Sequence, residues 1–122
     1  MAGEIVLVLD DQRIVVDVAE EILKSRGYKV LTAYSAPEAL GKLNERPDIV
    51  LCDILLGDGA TGYDFMDSAR GKGYDGPFVF MSAFDKRSEA LARGGSGYVR
   101  KPFDSKLPQI IANALVGEAG AL

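Results

Sequence analysis

Short runs of uninterrupted apolar residues that end at carboxylates are the feature that most constrains the fold of this chain. Ile49-Val50-Leu51-Cys52 leads directly into Asp53, and a second run over residues 5–9 meets Asp10 and Asp11. A strand with one wet face alternates apolar and polar residues, whereas a strand covered by helices on both faces is apolar throughout. Both runs therefore predict central strands of a parallel sheet.

Segments with helical spacing separate the apolar runs. Between residues 12 and 26, for example, apolar side chains recur three and four positions apart, which is the spacing of one helical face. The sequence predicts strands over 5–9, 28–33, 48–52, 77–81 and 97–100, and helices over about 12–26, 36–44, 63–70, 83–93 and 107–117. This alternation predicts an α/β fold, with a doubly wound, five-stranded parallel sheet and five helices.

Several helix ends have local signals. Gly27 is placed to end the first helix. Ser35 and Glu38 have the spacing of a capping box at the start of the second helix. Before the fifth helix, Ser105 is the favoured cap, because it puts Pro108 in the first turn, where no intrahelical N–H is needed.

Composition excludes several classes of protein. A length of 122 residues fits a single domain over 1–122, and 48% hydrophobic with 26% charged residues is ordinary for a soluble globular protein. The formal net charge of -4 argues against a direct nucleic-acid partner. No stretch approaches the roughly 18 apolar residues of a membrane span, and Cys52 lies in an apolar run. We therefore expect a cytoplasmic protein with no membrane segment and with Cys52 in its core.

The sequence contains no histidine. This excludes Ser-His-Asp and Cys-His nucleophile systems and removes the commonest transition-metal ligand. Any chemistry must then rest on carboxylates, hydroxyls and lysine. Carboxylate oxygens are suited to a hard cation such as Mg²⁺.

Five polar side chains end or follow the predicted strands: Asp10, Asp11, Asp53, Ser82 and Lys101. Because ligands bind beyond the carboxyl ends of parallel strands, we expect these side chains to meet at one edge of the sheet. Three clustered acids are electrostatically costly unless a cation bridges them. An aspartate can act as a nucleophile toward phosphorus, with a lysine and a hydroxyl binding the phosphoryl oxygens. The sequence therefore predicts a phosphoryl-accepting site.

In order and spacing, these residues resemble the receiver domain of two-component response regulators and hybrid histidine kinases. The matching segments are 8–11, 49–53, 82–83 and 98–103, and together they extend over nearly the whole chain. The resemblance implies a sheet with strand order 2-1-3-4-5. It implies that Asp53 is the phosphorylated residue, and that Mg²⁺ is bound by Asp10, Asp11, Asp53 and the backbone carbonyl of Leu55.

The resemblance also implies roles beyond the acids. Ser82 and Lys101 would contact the phosphoryl group, and Tyr98 would be the switch aromatic that reports the state of Ser82, although its strand position also fits a plain core residue. The phosphoryl donor would be a phosphohistidine on a histidine kinase or a histidine phosphotransfer protein. Such a domain is no classical turnover enzyme, but it catalyses its own aspartate phosphorylation and dephosphorylation.

The same family implies an output surface built from helix four, strand five and helix five. An effector, an output domain or a second copy in a homodimer would bind there. The segment from Ser82 to Lys101 is shorter than is usual in the family, so we expect a shortened helix four. That leaves open an alternative function, a receiver-like docking module that acts by protein–protein binding without phosphorylation.

The loop after Asp53 departs from the family pattern and invites other interpretations. Gly57 stands where a proline is usual in the family, and Gly62 lies one position later in the chain than the glycine that usually opens helix three. These departures predict a looser loop. Residues 57–62 also match G-x-G-x-x-G, the motif of dinucleotide-binding loops. They follow the third strand rather than the first, and the acids beside them would repel a pyrophosphate, so we reject a dinucleotide site. A haloacid-dehalogenase-type phosphatase also uses an aspartate nucleophile at a strand end, but it needs a second acid two residues later. This chain has Leu55 at that position, which argues against such a phosphatase.

Overall fold

The protein contains a five-stranded parallel sheet, seen in a computed structural model that describes residues 3–57, 59–103 and 105–117. The strands are β1 (Ile5–Leu9), β2 (Lys29–Ala33), β3 (Ile49–Asp53), β4 (Phe78–Ser82) and β5 (Gly97–Arg100). They are arranged in the order β2-β1-β3-β4-β5, and each neighbouring pair is parallel. The predicted strand number, order and direction are confirmed.

Five α-helices cover the two faces of the sheet. They are α1 (Arg13–Lys24), α2 (Ala36–Lys42), α3 (Gly62–Gly71), α4 (Arg87–Ala92) and α5 (Leu107–Leu115), and a short 3-10 turn (Leu43–Glu45) extends α2. Buried side chains of α1 and α5 share one core, and those of α2, α3 and α4 share the other. The doubly wound architecture is therefore confirmed.

Neighbouring residues of each strand enter opposite cores. On β1, Val6 and Val8 pack on the side of α1 and α5, whereas Leu7 and Leu9 pack on the side of α2, α3 and α4. All four side chains are fully buried. This two-sided burial is the physical reason for the continuous apolar runs, because neither face of a central strand meets water.

The helix ends agree only partly with their local signals. Gly27 follows α1 with a φ of +89°, as expected for a residue that ends a helix. The Glu38 N–H donates to Ser35 Oγ at 3.3 Å, as predicted. The Glu38 carboxylate, however, accepts from the Tyr34 N–H at 2.9 Å rather than from the Ser35 N–H of a standard capping box.

The last two helices begin differently from the predictions. Helix α4 has six residues and starts at Arg87 rather than at residue 83, because residues 83–86 form a loop that is held by other side chains. The N-cap of α5 is Lys106, whose side chain does not cap the helix, so the predicted Ser105 cap is wrong. Pro108 still lies in the first turn of α5, as predicted.

Candidate functional site

The carboxyl ends of the strands bring the three predicted acids together. Asp53 is the last residue of β3, and Asp10 and Asp11 directly follow β1. One carboxylate oxygen from each acid lies within 4.8 Å of those of the other two. Asp10 is fully buried and Asp53 is only 6% exposed, whereas Asp11 is exposed to solvent. The cluster therefore has a buried side and an open side.

Lys101 closes the buried side of the acid cluster. Its Nζ atom lies 3.0 Å from Asp10 Oδ2 and 3.4 Å from Asp53 Oδ2. Burial alone would lower the pKa of Lys101, but the two carboxylates together raise it. The peptide bond that follows, Lys101–Pro102, is cis. Lys101 is thus a permanent cation placed between two buried acids.

The single positive charge of Lys101 does not balance the negative charges of the three aspartates. Burial, followed by the charge of Asp10, raises the pKa of Asp53 to about 6, against the lowering effects of Lys101 and the Leu55 N–H. Burial likewise raises the pKa of Asp10, and this outweighs its hydrogen bonds with Gln12 and Lys101. Both shifts mean that ionisation of the buried acids is costly in the protein alone.

The acid cluster fits a hard divalent cation. All its donors are carboxylate oxygens, which Mg²⁺ prefers, and the open side at Asp11 leaves room for the waters that Mg²⁺ retains. The Leu55 N–H lies 3.4 Å from Asp53 Oδ1, so the backbone at the expected carbonyl ligand is close to the acids. Among the described residues, no other group of acids, cysteines or histidines could hold a metal ion.

A cavity of about 280 Å³ opens over the site. Exposed apolar side chains, Leu55 and Phe84, are part of its lining. Larger cavities occur elsewhere in the described part of the chain, but the acid cluster lies only at this one, so chemistry rather than size identifies the site. The lining residues are Asp11, Gln12, Asp53, Leu55, Gly57, Ser82, Ala83, Phe84 and Lys101.

Ser82 and Tyr98 are connected through the loop between β4 and α4. Ser82, at the end of β4, is buried, and its Oγ accepts a hydrogen bond from the Phe84 N–H at 3.0 Å. Tyr98 is buried on β5, and its hydroxyl donates to the Phe84 carbonyl and accepts from the Lys86 N–H at 3.3 Å. Phe84 is therefore held by both residues, and a movement of Ser82 would change the position of a group that Tyr98 contacts.

Backbone hydrogen bonds join described residues of the segment between β3 and α3. The Leu56 N–H donates to Ala60 at 3.0 Å, the Ala60 N–H to Gly57 at 2.9 Å, and the Gly62 N–H to Ile54 at 2.7 Å. Gly57 has a φ of +74°, which a proline cannot adopt. A proline could therefore not replace Gly57 in this conformation.

Sequence reasoning missed how closely two glycines approach the acids. A Cβ atom at Gly57 would lie 2.8 Å from Asp11 Oδ2, and one at Gly62 would lie 2.8 Å from Cys52 Sγ and closer still to the Asp53 carbonyl oxygen. It also missed Thr61, whose Oγ1 accepts from the Asp64 N–H at 3.1 Å and caps α3. The threonine before a helical segment was a usable signal.

The described helices include none with the length and apolar character needed to cross a membrane.

Comparison with known proteins shows extensive similarity to receiver domains. The family model for the response regulator receiver domain matches residues 6–112. The response regulator SaeR of Staphylococcus aureus (strain USA300) is 32% identical over 103 residues, which are 82% of this chain and 45% of SaeR. The chain thus spans about half the length of the curated relatives that it matches.

Solved structures of receiver domains have the same fold. The receiver domain of NtrX from Brucella abortus superposes with a TM-score of 0.80 at 29% identity, covering 91% of this chain and 98% of that one. The chemotaxis response regulator CheY4 of Vibrio cholerae gives a TM-score of 0.80 at 25% identity, covering 93% of this chain and 99% of that one.

Proposed function

Because the chain belongs to the response regulator receiver domain family, we propose that it accepts a phosphoryl group from a phosphohistidine onto Asp53. The observation that carries the proposal is the cluster of Asp10, Asp11 and Asp53, with Lys101 Nζ 3.4 Å from the proposed acceptor. The donor is a histidine kinase or a histidine phosphotransfer protein, the output partner binds the face of α4, β5 and α5, and the proposed location is the cytoplasm.

The residues of the site have distinct roles in this proposal. A carboxylate oxygen of Asp53 attacks phosphorus while the P–N bond of the phosphohistidine breaks, and the bonding electrons stay with the departing imidazole. Lys101 and the Ser82 hydroxyl bind the phosphoryl oxygens. The three acids and the Leu55 carbonyl would hold Mg²⁺, which would supply positive charge against the phosphoryl oxygens. In this proposal the domain is no classical turnover enzyme, but it catalyses its own phosphorylation and dephosphorylation at Asp53.

A small-molecule phosphodonor tests the acceptor. With Mg²⁺ present, intact-mass spectrometry should show one added phosphoryl group on the native protein and none on the Asp53→Asn variant. Asp48→Asn, which changes an exposed acid at the opposite end of β3, is the control and should still be phosphorylated. An absent adduct on the native protein, or equal adducts on native protein and Asp53→Asn, would refute the proposal.

The six-residue length of α4 favours a second candidate, a docking module that signals by binding without phosphorylation. Magnesium titration separates the two. A phosphoacceptor should bind Mg²⁺ at one site, and Asp11→Ala should abolish that binding. A pure docking module should show no Mg²⁺ response that depends on Asp11.

A further inference from the structure

Gln12 directly follows the acid pair and lies at the N-cap of α1, in the lining of the cavity that contains Asp53. Its backbone is held from both sides. The Gln12 N–H donates to Asp10 Oδ1 at 2.9 Å, and the Gln12 carbonyl accepts from the Val16 N–H at 3.3 Å. Because the residue is also exposed, a fixed backbone presents a polar side chain at this cavity.

The Gln12 side chain does not stabilise the helix that it precedes. At an N-cap, a serine, threonine, aspartate or asparagine side chain bonds the free N–H groups of the first turn. Gln12 makes no such bond. Its side-chain amide has no hydrogen bond with any other residue that the structure describes. The amide can therefore bond a water or a ligand in the cavity without giving up a contact within the protein.

The charged and hydroxyl side chains of the cavity already have roles in the proposed function. Asp53 receives the phosphoryl group, and Asp11 is one of the acids that would hold the cation. Ser82 and Lys101 bind the phosphoryl oxygens, and Ser82 Oγ also accepts from the Phe84 N–H at 3.0 Å. Removal of the phosphoryl group by hydrolysis is a separate task, which needs a group that orients the attacking water.

The lining residues that are left, apart from Gln12, cannot orient a water through their side chains. Leu55 and Phe84 are apolar and are 58% and 62% exposed, and Gly57 and Ala83 have no polar side-chain atom. Among the described residues of this cavity, Gln12 therefore has the one side chain that can accept and donate hydrogen bonds and has no other role. A side-chain amide can orient a water for attack on phosphorus.

We propose that Gln12 is the catalytic residue that orients the attacking water when the phosphoryl group is removed from Asp53. The proposal rests on the proposed function, because it requires a phosphoryl group on Asp53, and it adds the residue that acts in the removal. Gln12 Oε1 accepts one O–H of a water in the cavity. A lone pair of that water is then directed at phosphorus, on the side opposite the Asp53 oxygen.

The hydrolysis needs no reactant besides water. The water oxygen forms a bond to phosphorus while the bond between phosphorus and the Asp53 carboxylate oxygen breaks, and the electron pair of that bond returns to the carboxylate. Both protons of the water leave with the phosphate product. Because Gln12 bonds the attacking water rather than the phosphoryl group or its donor, it accelerates the loss of the phosphoryl group and not its transfer to Asp53.

Gln12→Met tests the proposal, because methionine has nearly the length of glutamine but cannot orient a water in this way. Native protein and variant are phosphorylated with acetyl phosphate and Mg²⁺, separated from the donor by desalting, and followed by intact-mass spectrometry. Loss of the phosphoryl group should be about tenfold slower in Gln12→Met, whereas its gain should change by less than about twofold. Gln109→Met, the same change at an exposed position of α5, should alter neither rate.

Two further measurements separate water orientation from a structural role of Gln12. Gln12→Glu retains a side-chain oxygen that accepts the O–H of water, so its loss of the phosphoryl group should stay within about threefold of the native rate. The Mg²⁺ affinity of Gln12→Met, measured by isothermal titration calorimetry, should equal that of the native protein, because the backbone bond between residue 12 and Asp10 remains.

Four results would overturn the role of Gln12. They are a native rate of loss in Gln12→Met, equal slowing of gain and loss in that variant, a parallel fall in its Mg²⁺ affinity, and a loss in Gln12→Glu as slow as in Gln12→Met. In each of these cases the native protein gains a phosphoryl group, so the phosphoacceptor function stands. If the native protein gains none, the phosphoacceptor function fails, and the role of Gln12 fails with it.

Discussion

Gly57 places the loop backbone directly against a carboxylate of the site. A Cβ atom there would lie 2.8 Å from Asp11 Oδ2. Gly57→Ala should therefore displace the Asp11 side chain and weaken Mg²⁺ binding by about tenfold, measured by isothermal titration calorimetry. Gly59→Ala is the matched control, because Gly59 also has a positive φ, of +84°, but its Cβ would meet nothing within 4 Å. If both variants lost Mg²⁺ affinity equally, backbone strain rather than contact with Asp11 would explain the effect.

Gly62 allows α3 to begin against the backbone of β3. A Cβ atom at this position would lie 2.8 Å from Cys52 Sγ and closer still to the Asp53 carbonyl oxygen, which are both buried. We expect Gly62→Ala to lower the free energy of unfolding by about 1–3 kcal/mol, measured by urea denaturation. Gly71→Ala, at the other end of α3, has open space and should be neutral or slightly stabilising. If Gly62→Ala left the free energy of unfolding unchanged, the close approach of Gly62 to β3 would be contradicted.

The acids and the lysine could be predicted from sequence because each directly ends or follows an apolar strand, and parallel strands end at one edge of a sheet. The two close glycines could not be identified in the same way. The contact of Gly57 with Asp11 depends on how a loop folds over a residue far away in the chain. Local patterns contain no information about such a distance.

Among the helices, α4 is attached to α3 through Tyr63. The Tyr63 hydroxyl donates to Glu89 Oε2 at 2.9 Å, and the Arg93 guanidinium lies 4.3 Å from the centre of the Tyr63 ring. Burial and the Glu89 carboxylate raise the pKa of Tyr63, so the hydroxyl stays protonated as a donor. Tyr63→Phe keeps the ring and removes this bond. We expect α4 to open more readily by about 1 kcal/mol, seen as faster amide hydrogen exchange over Arg87–Ala92.

Tyr74→Phe is the control for this change. The Tyr74 hydroxyl donates to the Pro47 carbonyl at 2.9 Å, in a part of the molecule away from α4. It should leave exchange in α4 unchanged while removing a hydrogen bond of the same kind. Faster exchange in α4 with both variants would mean that loss of global stability, rather than the attachment of α4, explains the result for Tyr63.

The sequence predicted the existence of the five α-helices, but not every helix end. Helix α1 has one continuous apolar face, and its predicted extent agrees with the structure to within two residues at each end. Helix α4 begins later than predicted, because the Phe84 N–H bonds Ser82 and the Lys86 N–H bonds Tyr98. The second of these bonds joins residues from β5 and the loop, so no local pattern around residue 83 could reveal it.

At the scale of the whole molecule, the site joins parts of the chain that are far apart in sequence. The ion pair between Lys101 and Asp10 spans 91 positions and exists only when β1 and β5 are both in place in the sheet. Two of the acids are buried there with raised pKa values. The charges of the site therefore oppose folding near neutral pH unless a cation is bound.

This opposition predicts how global stability depends on pH and Mg²⁺. Burial raises the pKa of Asp53 from 3.8 to about 6, so between these values the native state holds a proton that the unfolded chain releases. The free energy of unfolding should therefore fall as pH rises through this range. Asp53→Asn should remove much of the fall and be more stable than the native protein near neutral pH, by about 2 kcal/mol without divalent ions.

Urea denaturation at several pH values, with and without Mg²⁺, measures this dependence. Mg²⁺ binds the ionised acids of the native state, so it should stabilise the native protein more near neutral pH than below about pH 4. Asp67→Asn, which removes an exposed acid of α3, controls for the change in net charge. If Asp53→Asn and Asp67→Asn give the same pH dependence, burial of Asp53 in the site does not determine it. If Mg²⁺ stabilises Asp53→Asn as strongly as the native protein, the cation does not act through the Asp53 carboxylate.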